Sequence, residues 1–175
     1  MIGDGGMHPR LRKGPMGMLV SVAVVGILIL VGRPTPVDGA SLAATLDGRP
    51  MALGGIPAHY CNDRSYPVIR CFSTPAAEEL DASLASPDTG TFYVTWYQNS
   101  NFGGYSFSAS RSYPDLSVIG WQDTISSFRA YNGSNPHWFE YTNYQGYAVY
   151  WGVNVSVSYV GDAFNDRFVG VEVPG

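Results

Sequence analysis

From residue 91 onward, apolar and polar positions alternate with a period of two. Phe92, Val94 and Trp96 alternate with Tyr93, Thr95 and Tyr97. Tyr105, Phe107 and Ala109 alternate with Ser106, Ser108 and Ser110. Val153, Val155, Val157 and Tyr159 alternate with Asn154, Ser156 and Ser158. Such alternation predicts strands with one buried face. Gly103-Gly104, Asn132-Gly133 and Gly152 are the expected strand ends. Eight short antiparallel strands over residues 91–175 predict an all-β, two-sheet sandwich with an aromatic core.

Before residue 91 the pattern is different. Residues 41–57 have no clear period and several Gly and Pro breaks, which predicts a linker. Thr74-Pro75 offers an N-cap followed by proline at the first helical position. Glu78, Glu79 and Asp81 lie where a helix dipole favours them, and Leu80 and Leu84 share a face. A short helix over residues 75–85 is predicted. Ser86-Pro87-Asp88-Thr89-Gly90 then reads as a break leading into the sandwich.

The N-terminus has the form of an export signal. Arg10, Arg12 and Lys13 precede an uncharged, mostly apolar run over residues 16–31. Ser41-Leu42-Ala43 is an acceptable small-x-small cleavage site, so residues 1–43 are expected to be a leader. The rival is an uncleaved anchor at residues 16–32, at the short end for a core of about 30 Å. In either case the rest of the chain is placed outside the cytoplasm, secreted or anchored at the membrane.

Export bears on the cysteines. Cys61 and Cys71 are the only two, and an oxidising compartment favours a disulfide between them. A catalytic or metal-binding thiol is the alternative; His59 is near, but no further cysteine completes a zinc set. Residues 44–90 are thus read as a linker carrying a stapled loop and a helix.

The formal charge of −4, with no lysine after Lys13, argues against a nucleic-acid partner. A triad of Ser126, His137 and an aspartate has the right composition, but no nucleophile elbow, phosphate loop or His-Glu-x-x-His accompanies it. The chain is therefore read as non-enzymatic. His137, after Asn135-Pro136, reads as a turn histidine. Two glycosylation patterns, Asn132-Gly133-Ser134 and Asn154-Val155-Ser156, are of a length that arises often by chance.

One pattern occurs twice, 42 residues apart. Tyr97-Gln98-Asn99-Ser100-Asn101-Phe102-Gly103-Gly104 and Phe139-Glu140-Tyr141-Thr142-Asn143-Tyr144-Gln145-Gly146 both read aromatic-x-x-x-x-aromatic-x-Gly. Each is followed by a polar run, Gln122-Asp123-Thr124-Ile125-Ser126-Ser127 and Asn165-Asp166-Arg167-Phe168-Val169-Gly170. Two copies indicate one supersecondary unit used twice around a shared core.

In these residues the chain resembles the βγ-crystallin Greek-key pair, over about residues 91–175. The resemblance implies that Tyr97, Phe102, Gly104, Phe139, Tyr144 and Gly146 form two folded hairpins. It also implies calcium sites shared between the motifs, built from oxygen donors as a hard cation requires. The first would use the Gln98 and Thr124 carbonyls, the Ser126 hydroxyl and the Asp166 carboxylate. The second would use the Glu140 and Arg167 carbonyls and the Asp123 carboxylate. Its remaining position is Val169, which has no side-chain oxygen, and the run ends in Gly170 rather than serine. The first run departs as well, with Gln122 where Asn or Asp is usual. About one Ca²⁺ is expected, at the first site. The alternative is that these serines and aspartates only satisfy turns and cap loops.

Some relatives of this fold are protease inhibitors and others resemble killer toxins. An extracellular partner such as a protease is the alternative function. The Cys61–Cys71 loop, with Tyr66-Pro67-Val68-Ile69 at its centre, has the form of an exposed inhibitory loop. Such inhibitors carry more disulfides within the sandwich, where this chain has no cysteine.

Overall fold

The structure is a computed structural model that describes residues 41–84 and 93–174. Residues 1–40 of the expected leader, the break at Ser86-Pro87-Asp88-Thr89-Gly90 and Phe92 lie outside the described residues. Among the described residues, no helix is long and apolar enough to cross a membrane.

The fold is mostly β, in two sheets. Four strands precede the helix: β1 (Ala43–Leu46), β2 (Arg49–Met51), β3 (Tyr60–Ser65) and β4 (Val68–Phe72). Helix α1 spans Pro75–Leu84. Seven strands follow: β5 (Tyr93–Asn99), β6 (Gly103–Ala109), β7 (Ser127–Tyr131), β8 (His137–Tyr141), β9 (Gln145–Val149), β10 (Ser156–Val157) and β11 (Gly170–Glu172). The large sheet has the order β10-β7-β5-β6-β3-β4-β1-β2, and the small one β11-β8-β9.

The two repeats are interlocked. β10, from the second repeat, pairs with β7 of the first in the large sheet. Tyr113, from the first repeat, bridges Val171 of β11. The second repeat therefore contributes strands to both sheets, the first is tied to the small sheet by this bridge, and one core forms between them. Trp96, Trp121, Trp138, Phe107 and Phe128 are fully buried there. Trp96 is central: it stacks on Phe107 at 5.1 Å and meets Trp138 and Trp121 edge-on at 5.7 and 6.3 Å.

The expected linker is part of this sheet. Residues 43–72 hold four strands, and β3 pairs in parallel with β6 while β1 pairs in parallel with β4. The sheet is therefore mixed rather than wholly antiparallel. Ile56, Cys61, Ile69 and Cys71 enter the same core cluster as Trp96. Ala43, the last residue of the expected leader, opens β1, where its N–H donates to the Pro67 carbonyl at 3.1 Å. The reason for the difference is that β3 does not alternate in the ordinary sense. Its sequence Tyr-Cys-Asn-Asp-Arg-Ser buries Asn62 and Asp63, which are satisfied by partners distant in sequence.

Cys61 and Cys71 are bonded to each other and lie directly opposite across the β3–β4 hairpin. The loop they close is this hairpin. Ile69 is fully buried in β4, which has β1 on one side and β3 on the other, while Arg64, Ser65 and Tyr66, at the tip, are exposed.

Helix α1 is capped by Thr74, whose Oγ1 accepts from the Ala77 N–H at 3.3 Å. It docks differently from the expected Leu80 face. Leu80 is exposed, whereas Asp81 is buried. Asp81 pairs with Arg70 of β4 at 2.5 Å, and Asn62 Nδ2 donates to both Glu78 and Asp81 at 3.2 Å. Burial raises the Glu78 carboxyl pKa above its ordinary value. A polar clip, not a leucine stripe, thus holds this helix to the hairpin.

The strand expected at residues 153–159 shrinks to Ser156–Val157. Asn154 takes a left-handed backbone, φ 54°, and its Oδ1 accepts from the Gly133 N–H at 2.6 Å. This side-chain bond to a neighbouring turn takes residues 152–155 out of the extended conformation and leaves Val153 exposed.

Candidate functional site

The two hairpins match closely. Tyr97 meets Phe102 edge-on at 5.6 Å, and Phe139 meets Tyr144 edge-on at 5.5 Å. In both, two residues and the following glycine have positive φ: Asn101, Phe102 and Gly104, then Asn143, Tyr144 and Gly146. The glycines are required for space as well as for φ. A Cβ on Gly104 would come within 2.9 Å of Asn99 Nδ2, and one on Gly146 within 2.6 Å of the Tyr141 ring.

The polar runs cross over between the repeats. The Ser126 N–H donates to the Tyr97 carbonyl at 3.0 Å, and the Val169 N–H to the Phe139 carbonyl at 2.8 Å. The Asp166 N–H donates to the Ile125 carbonyl at 3.3 Å, and the Asp123 N–H to the Phe168 carbonyl at 3.0 Å. Each bond falls between or beside residues of one expected ligand set. Asp166 is thus brought to the Thr124–Ser126 segment, which itself runs beside Tyr97-Gln98. Asp123 is brought to Arg167 and Val169, which run beside Glu140.

Asp123 and Asp166 share an unusual backbone. Both are left-handed, at φ 54° and 56°. A preceding amide braces each carboxylate: Gln122 Nε2 to Asp123 Oδ2 at 3.1 Å, and Asn165 Nδ2 to Asp166 Oδ2 at 2.7 Å. Gln122, the departure from Asn or Asp at that position, therefore makes the same contact as Asn165.

The two sets differ in their surroundings. The Gln98 side chain donates to the Pro57 carbonyl at 2.7 Å, so β5 at this point is tied to the N-terminal segment. Thr124 Oγ1 donates to the Trp121 carbonyl at 2.9 Å. Ser126 is buried. An open cleft of about 640 Å³ is lined by Asp123, Glu140, Arg167 and Val169 of the second set together with Gln122 and with Asp166 of the first. Arg167 Nη1 donates to the Ala163 carbonyl at 3.2 Å, which draws the guanidinium back along its own loop.

The replacement of serine by Gly170 has a visible cause. Ser127, its counterpart, is fully buried; its Oγ donates to the Asn99 carbonyl at 2.6 Å and accepts from the Phe102 N–H at 3.1 Å. At Gly170 the Tyr113 and Pro114 carbonyls lie 3.4 and 3.3 Å from where a Cβ would stand. A backbone segment fills the place of the side chain.

The residues fit Ca²⁺ unequally. The first set consists of oxygen donors on three segments that hydrogen bonds hold together, and it includes a carboxylate. The second lacks an oxygen at Val169. Among the described residues, no three His, Cys, Asp or Glu groups converge as they would for a transition metal.

A second polar cluster escaped the sequence reading. Asp63, only 2% exposed, accepts from Ser110 N and Oγ, both at 2.9 Å, and from the Tyr113 hydroxyl at 3.1 Å. Burial raises its pKa against the opposing effect of these bonds. Burial, followed by the charge of Asp63, likewise raises that of Tyr113. No local signal marks Asp63, because its partners lie about fifty residues away.

Solved structures of microbial βγ-crystallin domains match about half of the chain. A βγ-crystallin from an archaeon is 26% identical, with 49% of this chain and 100% of that one covered, at a TM-score of 0.43. A domain from Clostridium beijerinckii is 26% identical over 46% of this chain and 95% of that one, at 0.42. A domain from Flavobacterium johnsoniae is 23% identical over 47% and 93%, at 0.42. No family model and no curated protein matches the chain.

Proposed function

We propose that this is an extracytoplasmic, non-enzymatic βγ-crystallin-like module that binds about one Ca²⁺ ion for structural stabilisation. The observation that carries this reading is the crossed loop pair. Asp166 is held beside Thr124 and Ser126 by a backbone hydrogen bond between the repeats, and these beside Gln98 by one within the first. Gln98 and Thr124 would supply carbonyls, Ser126 a hydroxyl and Asp166 a carboxylate. An ion there would tie the two repeats together. With one carboxylate the affinity is modest, because tight sites use more charge.

The leader-like segment and the Cys61–Cys71 disulfide support a location outside the cytoplasm. The protease-inhibitor alternative has weaker support: the tip of the stapled loop, Arg64-Ser65-Tyr66, is exposed, but Ile69 is buried in a strand with neighbours on both sides.

The test is calorimetric titration of the chain with Ca²⁺, together with thermal unfolding in Ca²⁺ and in chelator. The expected result is a stoichiometry near one and a higher Tm with calcium. Neither heat nor a Tm shift at millimolar Ca²⁺ would leave a purely structural sandwich.

A further inference from the structure

The cleft at Asp123 and Asp166 is much larger than a cation needs. A calcium ion is held by oxygens 2.3–2.6 Å away, whereas about 640 Å³ is the size of an organic-ligand site. Its walls combine planar acceptors, a hydroxyl and an aromatic ring. Asp123 and Asp166 present carboxylates braced by neighbouring amides. Thr142 adds a hydroxyl, and Tyr141 lines the same cleft with 62% of its surface exposed. The ring is set in place, since its edge lies where Gly146 would carry a Cβ.

We propose that this cleft binds a neutral polysaccharide. Sugar hydroxyls both donate and accept, which suits carboxylates beside amides and a threonine. The C–H face of a pyranose ring suits the face of an exposed, pre-positioned tyrosine. Charge selects against acidic polymers. Asp123, Glu140 and Asp166 are on the walls, and the guanidinium of Arg167 is engaged by the Ala163 carbonyl. Residues 141–161, which include Tyr141 and Thr142 of the cleft wall, contain no Asp, Glu, Lys or Arg. Tyr147, Tyr150 and Tyr159 in that stretch are exposed. The inference goes beyond the calcium reading and stands with or without the ion.

The test titrates the full chain with cellohexaose, chitohexaose and laminarihexaose, in chelator and in Ca²⁺, with polygalacturonate as an acidic control. At least one neutral hexasaccharide binds, also in chelator, and polygalacturonate does not. Tyr141→Ala weakens binding about tenfold, the scale of one aromatic contact, and Tyr141→Phe retains it. Thr142→Val, on the same wall, also weakens it, which keeps the test decisive should Tyr141→Ala fail to fold. Absence of binding to all three hexasaccharides would overturn the proposal. So would equal or tighter binding of polygalacturonate, or affinity unchanged in both variants. A calcium-induced Tm shift without sugar binding would remove this proposal alone; sugar binding without the shift would remove the calcium reading alone.

Discussion

Asp123 and Asp166 occupy equivalent points of the two repeats, and each sends its amide N–H into the loop of the other, to Phe168 and Ile125 at 3.0 and 3.3 Å. The pair makes the loops mutually dependent. It also predicts that the two carboxylates are not equivalent for an ion, because the Asp166 N–H bonds to a run containing Ser126 and the Asp123 N–H to a run containing Val169.

Asp166→Ala and Ser126→Ala should therefore abolish most of a calcium-induced rise in Tm, and Asp123→Ala should have less effect. Binding to the native state alone stabilises by about 2.7 kcal/mol at a hundredfold excess over Kd, so the shift is measurable. Val169→Ser should move the stoichiometry toward two in calorimetry. Equal losses from Asp123→Ala and Asp166→Ala would refute this division of ligands.

The disulfide should contribute to stability chiefly through the unfolded chain. Cys61 and Cys71 are 10 positions apart in sequence, and closing a loop of that size is worth about 2–3 kcal/mol by the chain-entropy estimate. Urea unfolding of the Cys61→Ala/Cys71→Ala double variant should show a loss of that size. Intact mass before and after reduction should show one bond.

Asp63 should make the fold less stable as pH rises above the ordinary carboxyl range. A carboxyl whose pKa is raised by folding holds its proton more tightly in the native state than in the unfolded chain. Its stabilising effect is full below its ordinary value of 3.8 and is lost as pH rises through the raised value. Glu78 acts in the same direction. Asp63→Asn should flatten the Tm-versus-pH curve in that window, since an amide can still accept from Ser110 and donate to the Tyr113 oxygen. An unchanged curve would show that Asp63 does not titrate there.

A fragment of residues 91–175 should give a β-type circular dichroism spectrum but a lower Tm than residues 41–175. It retains both repeats and the Trp96 cluster. It loses β3 from the edge of β6 and Pro57 from its packing against Gly120 and Gln98. The bared edge of β6 should also promote association at high concentration, measurable by light scattering. Equal Tm values would show that the N-terminal strands add nothing.

The sequence by itself determined what local chemistry decides. The two hairpins are legible because Gly104 and Gly146 stand where a Cβ has neither the space nor the φ, and because the aromatic five residues before each second ring closes on it. The helix is legible because Thr74-Pro75 is a start signal complete within four residues. Only the tertiary structure decided the place of residues 43–72, since pairing β3 with β6 joins segments some 46 residues apart and leaves no periodic trace. It also decided which side of α1 faces inward. Asp81 is buried and Leu80 exposed because Arg70 and Asn62 wait on the hairpin, and a buried carboxylate is stable only where such partners stand. Asp63 follows the same rule: its burial depends on Ser110 and Tyr113, which only the folded chain brings to it.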